Sequence, residues 1–468
     1  MSLRKIYTIL FFLGIFFIPF NEFEGLSFLG EYSDEASIYF FLSSFIILII
    51  DTLFRGKIGI PYKNSLALLL ITFLIWTVLS TFINYETVST NYFKQTSGFN
   101  RYIRQSISLL IPSVILTILS WNVIKHYSVY KIFILLRKVI LCSFIFVSIY
   151  GFIEIAIIFF GMGFLKPILE SFDIFPFVNT NLHSIIRKGI SSVTFEIPAL
   201  ATYLITVFPW MVSYIFTEKR IIRFIPLGVI LILVFFSDSR SGLIVIFIQL
   251  ICLLFLLILD SQFRKGTYKI LKYGSVVVVI FLLINSESII KTVDEKLDRL
   301  NFSKNLTENV SNKSRFGIQA ATFQVFKDNP IVGVGLGQNT YHAMYHYPYW
   351  ATYNNWEFRL KYKNQTERSF PPNFNFYTRT LAELGIVGFV LFVGLVFLCI
   401  YYSFLCWKFS NNKYRFIGAI LLLSFIGIGI NWMQLDYFKQ YGFWLCLMLL
   451  IYVRLKWPSF SYDKNEEK

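Results

Sequence analysis

The chain has 468 residues, of which 56% are hydrophobic, 19% aromatic and only 15% charged, and its mean hydropathy is +0.61. A soluble domain of ordinary composition carries about one quarter charged residues, so a water-soluble enzyme is excluded and a polytopic membrane protein is indicated. The formal net charge of +16 does not indicate nucleic acid, because the Lys and Arg residues sit in short loops between apolar runs, where a basic excess marks the cytoplasmic side.

About 20 apolar residues cross a bilayer, and on that measure about twelve segments qualify. In chain order they are 6–21, 37–54, 65–82, 106–124, 139–164, 197–216, 222–237, 242–260, 270–286, 384–407, 415–432 and 438–454. The first follows Arg4 and Lys5 as the core of a signal peptide would, but no small-residue cleavage site comes after it, so it is expected to remain as a span. Alternate loops are basic: Arg55, Lys57 and Lys63; Lys125, Lys131, Arg137 and Lys138; Lys219, Arg220 and Arg223; Arg264, Lys265, Lys269 and Lys272; Lys408, Lys413 and Arg415. These loops and both termini are expected in the cytoplasm. The first opposite loop holds Glu22, Glu24, Glu31, Asp34 and Glu35 with no Lys or Arg, and the long segment 287–373 falls on its side. Cys142, Cys252, Cys399, Cys406 and Cys446 lie in or at the ends of apolar runs, without the spacing of a disulfide framework or a zinc site.

The expected architecture is therefore all-α, with about twelve transmembrane helices and one large outer loop that contains short helices. It divides into N-terminal spans 1–196, central spans 197–286, the loop 287–373, C-terminal spans 374–456 and a cytoplasmic tail 457–468. The polar segments on the outer side are the loop from Tyr85 to Gln105, the loop from Lys166 to Glu196, the corner Asp238-Ser239-Arg240-Ser241-Gly242, and the long loop.

Within Lys313 to Gly388 an amphipathic helix opens at Arg315 and carries Phe316, Ala320, Phe323 and Phe326 on one stripe. Pro330 stops it, and Gly333, Gly335 and Gly337 allow tight turns. From Pro372 the chain runs directly into an apolar segment, which puts Asn375, Arg379 and Glu383 on one helical face at a membrane mouth. The GVGLG of 333–337 lacks both a βαβ context and the Lys-Ser/Thr of a phosphate loop, so it reads as a turn. No His, Cys and carboxylate spacing suits a metal, and no internal repeat of the kind that builds transporters is visible.

The corner at 238–242, Ser314-Arg315 opening a helix, the run Asn329-Pro330-Ile331-Val332-Gly333-Val334-Gly335-Leu336-Gly337, and Leu381-Ala382-Glu383-Leu384-Gly385-Ile386-Val387-Gly388 follow one another in this order. In that order they resemble the O-antigen ligase and O-antigen polymerase superfamily of bacterial inner-membrane glycosyltransferases. Thr194-Phe195-Glu196-Ile197-Pro198 is similar to that family's Glu-Pro segment. The resemblance covers about residues 180–405, and it implies transfer of a glycan from undecaprenyl diphosphate to an acceptor sugar on the periplasmic side of the inner membrane. The partners implied are the lipid-linked glycan donor and acceptor, membrane lipid, a chain-length regulator and a flippase, with no nucleic acid; no cofactor-binding or metal-ligating residue is assigned.

A diphosphate is a stable leaving group, so the site chiefly needs cations that hold it and absorb its developing charge, and Arg does this bidentately at fixed protonation. Arg240, at the outer end of a span, and Arg315, at the start of the loop helix, are the first choices, followed by Arg187 beside Lys188. Each has a structural competitor: Arg240 snorkelling or paired with Asp238, Arg315 solvating a helix surface, Arg187 paired with Glu196. Glu196, at the mouth of a span, is the candidate base for the acceptor hydroxyl. Arg379 and Glu383 have the spacing of an ordinary helical ion pair, although Arg379 and Asn375 also stand where substrate would lie.

Many members of the family, the ligases especially, carry His-Asn where this chain has Phe374-Asn375. His342 and His346 are the histidines on the same side that stand as substitutes, against loop packing as the alternative. The aromatic stretch Tyr341, Tyr345, Tyr347, Tyr349, Trp350, Tyr353 and Trp356 suits sugar stacking or an interfacial belt, with Asn339, Asn354 and Asn355 along it. Three functions compete. A repeat-unit polymerase building O-antigen, capsule or exopolysaccharide leads, because the family histidine is absent. A ligase acting on lipid A-core or protein is second. A flippase or transporter is third, and the charge-poor spans and the long outer loop speak against it.

Overall fold

The computed structural model describes residues 2–23, 25–180, 189–269, 271–272 and 309–456. It is an all-α polytopic membrane protein, as composition implied. The long helices are α1 (Leu3–Phe16), α2 (Ala36–Arg55), α3 (Ser65–Ile83), α4 (Gly98–Ile124), α5 (Val129–Phe160), α6 (Ile197–Thr217), α7 (Ile225–Phe236), α8 (Arg240–Leu259), α9 (Val310–Asp328), α10 (Phe376–Phe409), α11 (Asn412–Asn431) and α12 (Tyr441–Leu455). Among the described residues, 8 helices are long and apolar enough to cross a membrane. Of the expected spans, 270–286 lies outside the described residues except at 271 and 272, and each of the others overlaps a helix.

Local sequence sets the helix ends. Ser97, Ser128 and Ser239 accept hydrogen bonds from backbone N–H groups in the first turns of α4, α5 and α8, while Gly56 (φ 87°) and Gly161 (φ 67°) end α2 and α5 in the left-handed conformation. In α4, Pro112 lacks the N–H that a regular turn would use, and the helix widens to a π-turn over Ile111–Ile115. The bundle centres on α12, which is buried at every position from Tyr441 to Val453. A helix apolar all round has no face to give to solvent, and the C-terminal part of α4 (Leu116–Ile124) and α11 pack beside it.

The loops gather at two ends. At the basic end Asn122 exchanges hydrogen bonds with Gly59 (3.0 Å each way), Arg415 lies 3.6 Å from Asp260, and Arg454 donates to Ser65. At the acidic end the loops after α3 and α11 bond to the long polar segment, through Asn91 with Gln338 and Asp436 with Asn373, and the loops after α1 and α5 meet each other, Phe195 N donating to Asn21. A hairpin there, Tyr92–Phe93 against Thr96–Ser97, turns through Lys94 (φ 51°) and Gln95 (φ 57°). Lys94 then reaches into the long loop and donates to the carbonyls of Lys361 (2.6 Å), Asn364 (2.9 Å) and Glu367 (3.0 Å). That loop is thereby tied to the bundle.

The amphipathic reading of α9 is corrected on one point. The face that packs inward is Ser314, Gly317, Ile318, Ala321, Thr322 and Val325, whereas Ala320 and Phe323 are exposed. Small residues win this face because the short helix Tyr349–Thr352 approaches α9 closely: a Cβ on Gly317 would lie 2.3 Å from that of Ala351.

Candidate functional site

The two glycine-bearing stretches of the long polar segment lock into each other. After Pro330 the chain runs antiparallel to the first turns of α10: Val334 N donates to Ala382 O (3.0 Å), Gly335 N to Glu383 O (2.8 Å) and Ile386 N to Pro330 O (2.8 Å). This pairing needs a helix that stops and restarts, and Gly385 supplies the break at φ 65°, ψ −170°, a region open essentially to glycine alone. A Cβ there would lie 2.1 Å from Ile331 O, and one on Gly333 would lie 2.5 Å from Glu383 O. α3 holds both sides of this lock: Trp76 donates to Leu384 O (2.9 Å), a carbonyl freed by the break, Ser80 to Val332 O (2.8 Å), and Asn84, just past the helix, to Gly333 O (3.0 Å).

The break fixes the polar turn before it. Asn375 caps α10, accepting from Tyr377 N (3.0 Å) and Thr378 N (3.2 Å), so Arg379 and Glu383 project from the first two turns. Arg379 uses its whole fork: Nε on Glu383 Oε1 (3.1 Å), Nη1 on Asp436 O (2.5 Å) and Nη2 on Gln105 Oε1 (2.6 Å). Gln105 passes the connection on to Glu31 Oε1 (3.0 Å), which Arg101 also approaches at 3.4 Å. Lys439 donates to Glu31 O (3.1 Å) and pairs with Glu35 Oε1 at 2.6 Å, and Tyr441 donates to the other Glu35 oxygen. Burial alone would lower the Lys439 ammonium, but Glu35, with Glu31 and Asp34 behind it, holds it above the ordinary lysine value.

The remaining candidates from the sequence fall around this network. Arg315 is exposed, and its guanidinium carbon sits 4.9 Å from the centroid of the Phe374 ring, so Phe374 is an aromatic platform beneath it. Asn339 is 5% exposed and donates to Thr322 Oγ1 (2.9 Å); Thr322 donates to Asn373 Oδ1 (2.5 Å), and Asn373 donates to Asn375 O (2.8 Å). His342 lies one turn beyond Asn339. Its Nε2 is buried without a hydrogen-bond partner among the described residues, and burial, with His346 adding to it, lowers its pKa. His346 pairs instead with Asp328 at 3.2 Å.

Glu196 caps α6 through its main chain, its carbonyl accepting from Ala199 N (3.1 Å), and its charge acts on the buried Tyr437, whose pKa burial raises. Arg240 is the exposed first residue of α8, behind the Ser239 cap and next to Gly242, which packs on Ala201 of α6. Arg187 lies outside the described residues. Thus Asn339, Asn375 and Arg379 join one connected network with Arg315 at its edge, while Glu196 and Arg240 stand on the α6–α8 side of the same end.

Sequence reasoning passed over Glu31, Glu35, Gln105, Asp436 and Lys439. A signal for Lys439 was present: a lysine at the outer mouth of a span opposes the basic-inside pattern and calls for a carboxylate partner. Two adjoining cavities open beside Lys439, of about 260 and 370 Å³, and they share Asn21, Glu35, Phe195 and Lys439 as lining.

Residues 225–393 match the family model described as O-Antigen ligase. That segment contains Arg240, Arg315, Asn339, His342, Asn375 and Arg379 and leaves Glu196 outside. The resemblance carried by the ordered motifs is thereby borne out. No curated protein matches the chain.

Proposed function

From the premise that residues 225–393 form a domain of the O-antigen ligase and polymerase superfamily, we propose that the chain is a polyprenyl-diphosphate-dependent glycosyltransferase that polymerises lipid-linked oligosaccharide repeat units. In this reading it sits in the bacterial inner membrane, with the acidic end in the periplasm and undecaprenyl diphosphate as the carrier. One observation carries the proposal: the matched segment bonds its own glycine motifs together across the Gly385 break and so holds a polar network at one mouth of a membrane bundle.

The chemistry follows from the residues. The acceptor hydroxyl oxygen bonds to the anomeric carbon of the donor as the bond from that carbon to the diphosphate oxygen breaks. The hydroxyl proton passes to the Glu196 carboxylate. Arg240 and Arg315 take the charge that develops on the leaving diphosphate, and Arg187 is assigned to the same group. Asn339, Asn375, His342 and Arg379 lie along the path assigned to the glycan. Phe374 in the place of histidine favours polymerase over ligase, since no imidazole of near-neutral pKa stands at that position.

Deletion of the gene tests this. Surface lipids that carry a single repeat unit identify a polymerase. Loss of every unit with lipid-linked polymer accumulating identifies a ligase, and unpolymerised units trapped on the cytoplasmic face identify a flippase and overturn the proposal.

A further inference from the structure

Among the described residues, the cavities beside Lys439 are lined by neither Arg240 nor Arg315. The inner one, about 260 Å³, is walled by Phe195, Tyr437, Thr202, Gln440, Glu35 and Lys439. Its chemistry differs from that of an anion site: among the described residues the one cation in its lining, Lys439, is already engaged with Glu35, and the adjoining mouth brings in Glu31 and Asp34. Gln440 is 3% exposed, yet its Nε2 has no hydrogen-bond partner among the described residues. A buried amide donor left without an acceptor is destabilising, and the relief open to Gln440 is an acceptor placed in the cavity it lines. Phe195 contributes a ring that is 48% exposed although its backbone N–H is fixed by Asn21 (3.0 Å).

A flat apolar ring, a hydroxyl-bearing wall from Thr202 and Tyr437, an amide donor lacking an acceptor and a carboxylate that deters phosphate together describe a carbohydrate site. We infer that this cavity is a sugar subsite that holds an uncharged or amino-bearing pyranose of the acceptor glycan, at the N-terminal end of α6. The assignment to the acceptor rests on the proposed glycosyl transfer. The carbohydrate character of the cavity stands on its own lining.

The test uses the full-length protein in lipid nanodiscs. The probe is the lipid-free oligosaccharide released by mild acid from the host's own lipid-linked repeat unit, titrated by calorimetry, with inorganic pyrophosphate as a second, separate probe. Gln440→Leu and Phe195→Ala are each expected to weaken oligosaccharide binding about tenfold, the equivalent of one good contact, and to leave pyrophosphate binding unchanged. Phe195 is half-exposed, so its variant keeps the inference testable if Gln440→Leu fails to fold. Oligosaccharide binding equal to wild type in both folded variants overturns the subsite. So does a common loss of both probes, which would mark a general structural defect. A deletion strain with unaltered glycan would remove the transferase reading and the word acceptor, yet binding lost selectively in the two variants would still establish the sugar site.

Discussion

Arg379 and Glu31 are joined by a single side chain, Gln105, whose amide oxygen accepts from the guanidinium at 2.6 Å and whose amide nitrogen donates to the carboxylate at 3.0 Å. Arg379 and Gln105 are 274 positions apart in sequence, so the contact ties the C-terminal spans to the N-terminal ones at the acidic end. Arg379 is also the buried partner of Glu383. Removing it strands that carboxylate, and Arg379→Ala is expected to cost about 3–5 kcal/mol of stability. Arg379→Lys should recover little, because an ammonium cannot serve three acceptors that a planar fork reaches together. Gln105→Leu should cost about 1–3 kcal/mol. Thermal denaturation in detergent, followed by size-exclusion chromatography, orders the three variants.

Gly385 and Gly394 lie on the same helix and give opposite expectations. Gly385→Ala forces an alanine into a region worth about 1–3 kcal/mol of strain and drives its Cβ to 2.1 Å from Ile331 O, so the antiparallel lock with Pro330 to Gly335 should open and the yield of monodisperse protein should collapse. For Gly394→Ala the nearest atom to the new Cβ is Leu69 Cδ2 at 4.0 Å, and a helical alanine there should be neutral or stabilising by up to about 1 kcal/mol. Extraction yield and melting temperature of both variants decide the point.

The membrane bundle was legible because apolar runs and loop charge report it directly, and the Arg379–Glu383 pair because four residues make one helical turn. The Gln105 bridge, the Glu35–Lys439 pair and the Lys94 clamp were not legible: each links segments distant in the chain, which no local period encodes. The stripe of α9 misled for a different reason. Reading the largest apolar residues as the inward face assumes that burial is won by area, but at Gly317 and Ala351 it is won by close approach. Phe374 was visible as a departure from the ligase pattern, and its role as the platform under Arg315 needed coordinates.

Loop charge places Asn312, in the first turn of α9, on the side opposite Lys57. With Asn312→Cys in a cysteine-free background, a membrane-impermeant maleimide should label intact spheroplasts. Lys57→Cys should label only after lysis. The reverse pattern would invert the molecule and overturn the proposed periplasmic location of the site.

His342 gives the fold an acid sensitivity of defined sign. Burial and the neighbouring His346 lower its pKa, so between the folded value and the ordinary value of about 6.5 the unfolded chain binds more protons than the folded one. Stability is therefore full above that window and falls as the pH drops through it. His342→Gln should flatten the dependence of melting temperature on pH between about 7 and 5. A slope unchanged by the substitution would show that His342 is not the group responsible.

Arg240 and Arg315 are both exposed, so their loss should spare the fold and be read in glycan synthesis. If they hold the leaving diphosphate, Arg240→Ala and Arg315→Ala should each lower transfer by about 10²–10³-fold, the range for removing one group that stabilises developing charge. Lysine in either place keeps the charge without the bidentate fork and should restore only part of the activity. Phe374→Leu removes the ring under Arg315 but leaves its charge. It should therefore cost about 1 kcal/mol of positioning, or several-fold in rate, well short of Arg315→Ala. Glycan length on gels, at membrane abundance matched by immunoblot, measures all of these. Long-chain glycan retained in both alanine variants would eliminate these two arginines as the diphosphate clamp.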